Sequence, residues 1–173
     1  MFSRLSRSKE YIINIQKGER IHHPQHGVGV VESIGERSFY GAEAATYAEL
    51  FFKREKLKLT LLKKDLSKCV RSLLTPKQAR QLLDHIAEWE GTPKKQWKAR
   101  ADAHQAALDG GDPFEYAKVY KELCHLEANG ETFRLADRTH LNQAQELLTE
   151  ELARCLKKTP DQAQKMLDKA IAD

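Results

Sequence analysis

The sequence is poor in everything a chain uses to cross a membrane, cage a metal or staple itself with disulfides. No segment approaches the roughly 18 uninterrupted apolar residues of a membrane span. The first 17 residues carry Arg4, Arg7, Lys9 and Lys17 but no apolar core of a secretory signal. Cysteine is limited to Cys69, Cys124 and Cys155, an odd number with no C-x-x-C pair. That count argues against a disulfide framework or a zinc ribbon and points to a reducing, cytoplasmic compartment. No G-x-S-x-G, H-E-x-x-H or Walker loop is present, and no cysteine has a recognisable basic partner. The expectation is therefore a non-enzyme without cofactor, metal, membrane or small-molecule substrate. Large excess charge is also missing: 29 Lys and Arg face 25 Asp and Glu. Any attraction to nucleic acid has to come from local clustering of cations.

What is present falls into two grammars. Between Glu19 and about Arg71 the chain reads as strands. Val28, Val30 and Ile34 follow two glycines, Tyr47 to Phe52 form a second short run, and Leu57, Leu59 and Leu61 alternate with Lys58 and Thr60. Short strands separated by Gly41 and by Lys53-Arg54-Glu55-Lys56 suggest a small, strongly bent antiparallel barrel. From Thr75 onward the grammar is helical. Thr75-Pro76, Thr92-Pro93, Asp112-Pro113 and Thr159-Pro160 each set a capping side chain before a proline, whose missing N–H had no partner in a first helical turn. Leu141, Ala144, Leu148 and Leu152 mark a further helix between about Asp137 and Lys157, and Gly91, Gly110-Gly111 and Asn129-Gly130 supply stops. The fold class expected is α+β: a basic extension at 1–17, a β-module at 18–72, and an all-α module of about five helices at 73–173.

The stretch His23-Pro24-Gln25-His26-Gly27-Val28-Gly29 offers three readings. A metal site lacks further ligands, since no Cys, Asp or Glu in the motif completes a set with the histidines. A phosphate loop needs glycines that open a helix, whereas these open a β-branched run. The remaining reading is a barrel mouth, with Pro24 fixing a turn and the glycines permitting sharp bending or close backbone approach. A second stretch, Gly91 to Ala101, holds Lys94, Lys95, Lys98 and Arg100 around Trp97 with no acid. Such a cluster at a helix start can meet phosphates while the ring stacks on or wedges beside a base. It can equally be a solvated cationic face with a core tryptophan. Trp89, at helical spacing from Leu82 and Ile86, is expected in the core.

The string Gly18-Glu19-Arg20-Ile21-x-His23-Pro24-x-His26-Gly27-Val28-Gly29-x-Val31, with Gly41, Tyr47 and Val70-Arg71 after it, resembles the N-terminal domain of the CarD/CdnL family of bacterial transcription regulators. Gln96-Trp97-Lys98-Ala99-Arg100, Gly111-Asp112, Tyr120-x-x-Leu123 and the run from Asp137-Arg138 to Leu152-Ala153 are similar to that family's C-terminal domain. The resemblance covers about residues 18–172. A related module occurs in the transcription-repair coupling factor, but the missing Walker loop favours a free-standing regulator. The resemblance implies a Tudor-like barrel that docks on the β subunit of RNA polymerase and a helical domain that binds promoter DNA. In relatives a tryptophan matching Trp97 wedges at the upstream edge of the transcription bubble. By the same resemblance Lys94, Lys95, Lys98 and Arg100 join Trp97 as DNA-binding residues, and Arg37 and Thr60 are polymerase-binding, with Thr60 standing where some relatives carry a basic residue. The function implied is stabilisation of the promoter open complex. The alternative is an interaction module whose helices bind a partner protein in place of DNA.

Overall fold

A computed structural model describes residues 15–172, so the basic extension lies, as far as residue 14, outside the described residues. The chain divides between Leu73 and Leu74 into a sheet unit and a helical unit.

In the sheet unit the alternating runs become β1 (Arg20–His23), β2 (Gly27–Arg37), β3 (Ala45–Phe52), β4 (Leu57–Leu62) and β5 (Arg71–Ser72). All neighbours are antiparallel and their order is β4-β3-β2-β1-β5. Inward residues of β1, β2 and β3 meet in one cluster of Ile21, Val31, Ala48, Leu50 and Phe52, and Leu57, Leu59 and Leu61 of β4 pack against it. Two glycines of the opening motif set its geometry. Gly27 sits at φ +74°, a left-handed conformation that costs glycine little, and turns the chain from β1 into β2. A Cβ on Gly29 would stand 2.7 Å from the Phe52 ring, so the missing side chain is what lets that ring seat against the backbone. A register shift between Val31 and Ser33 bends β2.

The expected barrel is met as an antiparallel sheet, not as a closed cylinder: β4 and β5 end the order and do not pair with each other. After β4 the chain leaves the ladder through a 3-10 turn (Lys63–Asp65) and the one-turn helix α1 (Leu66–Cys69). Leu66 and Val70, from that helical link, fill the core instead of adding strand length.

The helical unit contains α2 (Pro76–Glu88), α3 (Trp97–Asp109), α4 (Pro113–Ala128), α5 (Leu135–Cys155) and α6 (Pro160–Ala172). Three of the four proline-marked starts are helix starts. Thr75 Oγ1 accepts from the Gln78 N–H at 3.2 Å and the Gln78 side chain accepts from the Thr75 N–H at 2.9 Å, a reciprocal cap. Thr159 and Gln162 repeat that arrangement at α6, and Asp112 Oδ1 accepts from the Phe114 N–H at α4. Thr92-Pro93 is the exception: residues 92–95 are not helical and α3 begins at Trp97. The reason is local. The carbonyls of Lys94 and Lys95, which a helix starting there would need, accept instead from the Arg100 guanidinium.

α4 packs on α2, α3 and α5, and α5 on α3 and α6. Leu82, Ile86, Leu108, Tyr116, Leu123, Leu148, Leu152 and Leu167 form the apolar interior. Two buried charged groups there meet specific partners. Lys121 of α4 donates to the Ile86 and Ala87 carbonyls, capping the last turn of α2. Glu151, in the interior of α5, accepts from the Leu74 N–H at 2.9 Å, so the first residue of the unit is gripped from within.

Candidate functional site

Trp97 is the first residue of α3 and leaves 45% of its surface exposed. Its N-cap neighbour Gln96 makes no side-chain cap, so the positive end of the helix dipole is not answered by a capping group. Lys98 Nζ lies 5.6 Å from the Trp97 ring centroid. Lys94 and Lys95 are exposed in the preceding loop. Of the five residues expected to meet DNA, four therefore share one surface.

Arg100 departs from them. It is only 3% exposed, and its Nε and Nη2 donate to the two Asp137 oxygens at 2.8 Å each. Its Nη1 donates to the Lys94 carbonyl at 2.9 Å. The guanidinium is thus spent inside the unit, and its hydrogen bonds to Asp137 hold its pKa above the usual value. Burial opposes ionisation of Asp137, but the Arg100 fork and the Arg134 N–H overcome it and hold the carboxyl below its ordinary range. Asp137 Oδ2 accepts from that Arg134 N–H at 3.0 Å.

One buried ion pair thereby links the lysine loop, the first turn of α3 and the first turn of α5. Sequence reasoning missed the α5 side of this arrangement. Arg134 and Arg138 are exposed there, Leu135 is 83% exposed, and the Arg138 guanidinium lies 5.5 Å from the Phe133 ring centroid. The signal was an acid three residues after Arg134 at a helix start, but nothing in the sequence announced that Arg100, 37 residues earlier, would be its partner. Trp89 is also not a core residue. It is half-buried just beyond α2, its ring lies 5.7 Å from that of His85 at a tilt of 37°, and it carries Lys118 Nζ 4.9 Å from its ring centroid.

Behind this surface α3 and α5 face each other with two buried histidines. His104 Nε2–H donates to Glu122 at 2.9 Å and His140 Nε2–H to Gln105 at 3.1 Å, their rings 6.2 Å apart. Both Nδ1 atoms are buried without a hydrogen-bond partner among the described residues. Burial, then the neighbouring His104, pushes the His140 pKa below its ordinary value.

On the sheet unit, the two expected polymerase-binding residues flank one carboxylate. Glu49 registers with Ser33 of β2 on one side and Thr60 of β4 on the other. Its side chain accepts from Ser33 Oγ and from Arg37 Nη2, both at 2.7 Å. The hydrogen bonds from Ser33 and Arg37 hold the Glu49 carboxyl below its usual range. Arg37 and Thr60 are exposed, the first as half of an ion pair. In the opening motif the His23 and His26 rings pack on Phe52, and His26 Nδ1 lies 2.7 Å from Glu55. Burial, then His26, lowers the His23 pKa. Among the described residues no group of three or more His, Cys, Asp or Glu could hold a metal ion, and no helix is long and apolar enough to cross a membrane.

The family model described as CarD, C-terminal domain, matches residues 81–168, just over half of the chain, and spans both the Trp97 surface and the Arg100–Asp137 pair. No curated protein matches the chain.

Proposed function

Because the chain belongs to the CarD family of transcription-related proteins, we propose that it binds the β subunit of RNA polymerase through its sheet unit and promoter DNA through its helical unit, stabilising the open complex. The observation that carries this reading is Trp97: a large ring, exposed at an uncapped helix start amid Lys94, Lys95 and Lys98, in a segment the family model covers. Phosphate contacts from the lysines position the helix end, and the ring occupies the space a re-forming base pair would need at the upstream edge of the bubble. Contacts available only in the melted state shift the equilibrium toward that state. Arg134 and Arg138 add charge on the α5 side, whereas Arg100 acts by holding the Lys94 carbonyl and not by touching DNA. On the sheet unit, Arg37 at the end of β2 offers its side chain, and the β4 edge around Thr60 main-chain groups, to the polymerase.

The test is open-complex lifetime on a promoter with polymerase present. Trp97→Ala should shorten it by an amount equivalent to about 1–3 kcal/mol, the usual worth of a base-stacking aromatic. Its exposure means thermal melting should hardly move. Replacing Lys94, Lys95 and Lys98 by alanine should lower the salt slope of binding by roughly two to three, one counterion-release step per lost contact. The exposed Leu135 favours a second reading, a helical unit that binds a partner protein. That reading stands if both variants leave the lifetime unchanged.

A further inference from the structure

The loop that carries Lys94 and Lys95 is held at both ends by side chains. Among the described residues, the main chain of 90–95 makes no hydrogen bond to other main chain. At the exit, the Arg100 guanidinium donates to the Lys94 and Lys95 carbonyls. At the entry stands Trp89, the C-cap residue of α2, whose extended ψ of 116° leads the chain out of the helix without a left-handed turn. Gly91 lies against its ring: a Cβ there would stand 2.6 Å from the indole Nε1 and closer still to Cε2 and Cζ2. Gly91 is therefore the seat of the indole, and any side chain there would displace either the ring or the loop.

The ring is itself tied to the helices. Its centroid lies 5.7 Å from that of His85 on α2, and Lys118 Nζ of α4 stands 4.9 Å from it. One turn further along α4, Lys121 donates to the Ile86 and Ala87 carbonyls. Two lysines spaced to share a face of α4 thus serve the end of α2, one through the aromatic ring and one through the last carbonyls. The indole Nε1 is buried and has no hydrogen-bond partner among the described residues. An unanswered N–H disfavours tryptophan as mere filling, and the edge that carries it is the edge that covers Gly91. The loop is thereby strung between α4, through Trp89, and α5, through Arg100 and Asp137.

We propose that Trp89 and Gly91 are positioning residues for the DNA-facing surface: the indole seated on the Gly91 backbone fixes the direction in which the chain leaves α2, and so where Lys94 and Lys95 stand beside Trp97. The proposal rests on the DNA reading for what the loop meets and on the clamp's geometry alone for how the loop is held. Trp89 touches no phosphate in this scheme. It lowers the cost of binding by ordering the lysines before DNA arrives.

The experiment uses the full chain with Gly91→Ala, Trp89→Ala, both together, and Trp89→Phe. One readout needs no DNA: the rate of tryptic cleavage after Lys94 and Lys95, set against cleavage after Lys157 and Lys158, exposed between α5 and α6. The other is affinity for a fluorescein-labelled forked duplex with polymerase present. Gly91→Ala and Trp89→Ala should each speed cleavage in the loop at least about fivefold and leave the control sites within about twofold. Each should weaken the forked duplex by roughly three- to tenfold, the worth of ordering a few side chains in advance. The double variant should be no worse than Trp89→Ala, since both changes remove one contact, and Trp89→Phe should recover most of the loss. Equal acceleration at the control sites would reduce Trp89 to general stability, and unchanged cleavage in the loop or additive effects would overturn the clamp. If cleavage obeys the prediction but the wild-type chain ignores forked DNA, the clamp stands and the DNA reading falls. If the duplex is bound through Trp97 and the lysines but is indifferent to the clamp variants, the positioning role falls and the DNA reading stands.

Discussion

Arg100 shows how a residue's chemistry and its role can part. In the sequence it is one of four cations around Trp97, and its type alone suits a phosphate. In the fold it sits under the surface, and what reaches the exterior is the position of the Lys94 carbonyl that it fixes. Asp137→Asn removes the charge that compensates it and leaves a buried guanidinium half answered. The expected cost is about 3–5 kcal/mol, read as a lower urea midpoint at unchanged slope. Arg100→Lys keeps the charge and loses the fork, and should cost less, about 1–3 kcal/mol. In conditions where that variant is folded, the salt slope of DNA binding should match the wild type. A slope reduced by about one would return Arg100 to the set of phosphate contacts.

Among the elements, legibility followed locality. Thr75-Pro76, Asp112-Pro113 and Thr159-Pro160 could be read because cap and first turn lie within three residues of each other. Thr92-Pro93 carries the same local signal and fails because a side chain five or six residues downstream takes the Lys94 and Lys95 carbonyls. Gly27 and Gly29 were legible as a bend and a close approach, while the partner in that approach, Phe52, was not. The contact of α3 with α5 was illegible, because His104 and His140 are far apart in sequence.

That contact has a pH consequence. His140 faces His104 and Gln105 from α3, with Asp109 on α3, Asp137 on α5, and Glu122 of α4 reached through His104. Its pKa is lowered in the fold, so the unfolded chain binds the proton more readily. Stability is then full above the ordinary histidine value of 6.5 and falls as the pH drops from there through the lowered value. Thermal melting between pH 7 and 5 should show this decline, and His140→Leu should flatten it. A decline of the same steepness in the variant would assign the acid limb to other groups.

For the whole molecule, the near balance of 29 cations and 25 acids is informative through its distribution. In the sheet unit Arg37, Arg54, Lys58 and Lys68 are paired with acids in place, while Lys94, Lys95, Lys98, Arg134 and Arg138 cluster at one end of α3 and α5. The division between Leu73 and Leu74 predicts that residues 74–173 expressed alone are helical by circular dichroism and melt cooperatively. Under the proposed function that fragment should bind forked DNA and lose retention by polymerase. Retention equal to that of the full chain would move the docking site out of the sheet unit. Under the proposed function the chain is held by polymerase on one side of this division and by DNA on the other, and carries load when polymerase leaves the promoter. The main chain joins the two units at Leu73 and Leu74. There the Glu151 carboxylate, one turn from the C-terminal end of the longest helix, anchors the Leu74 N–H. Tension drawn through the junction is therefore delivered to the C-terminal turns of α5 before it can peel the first turn of α2, and the bond that fails first under force should be this one.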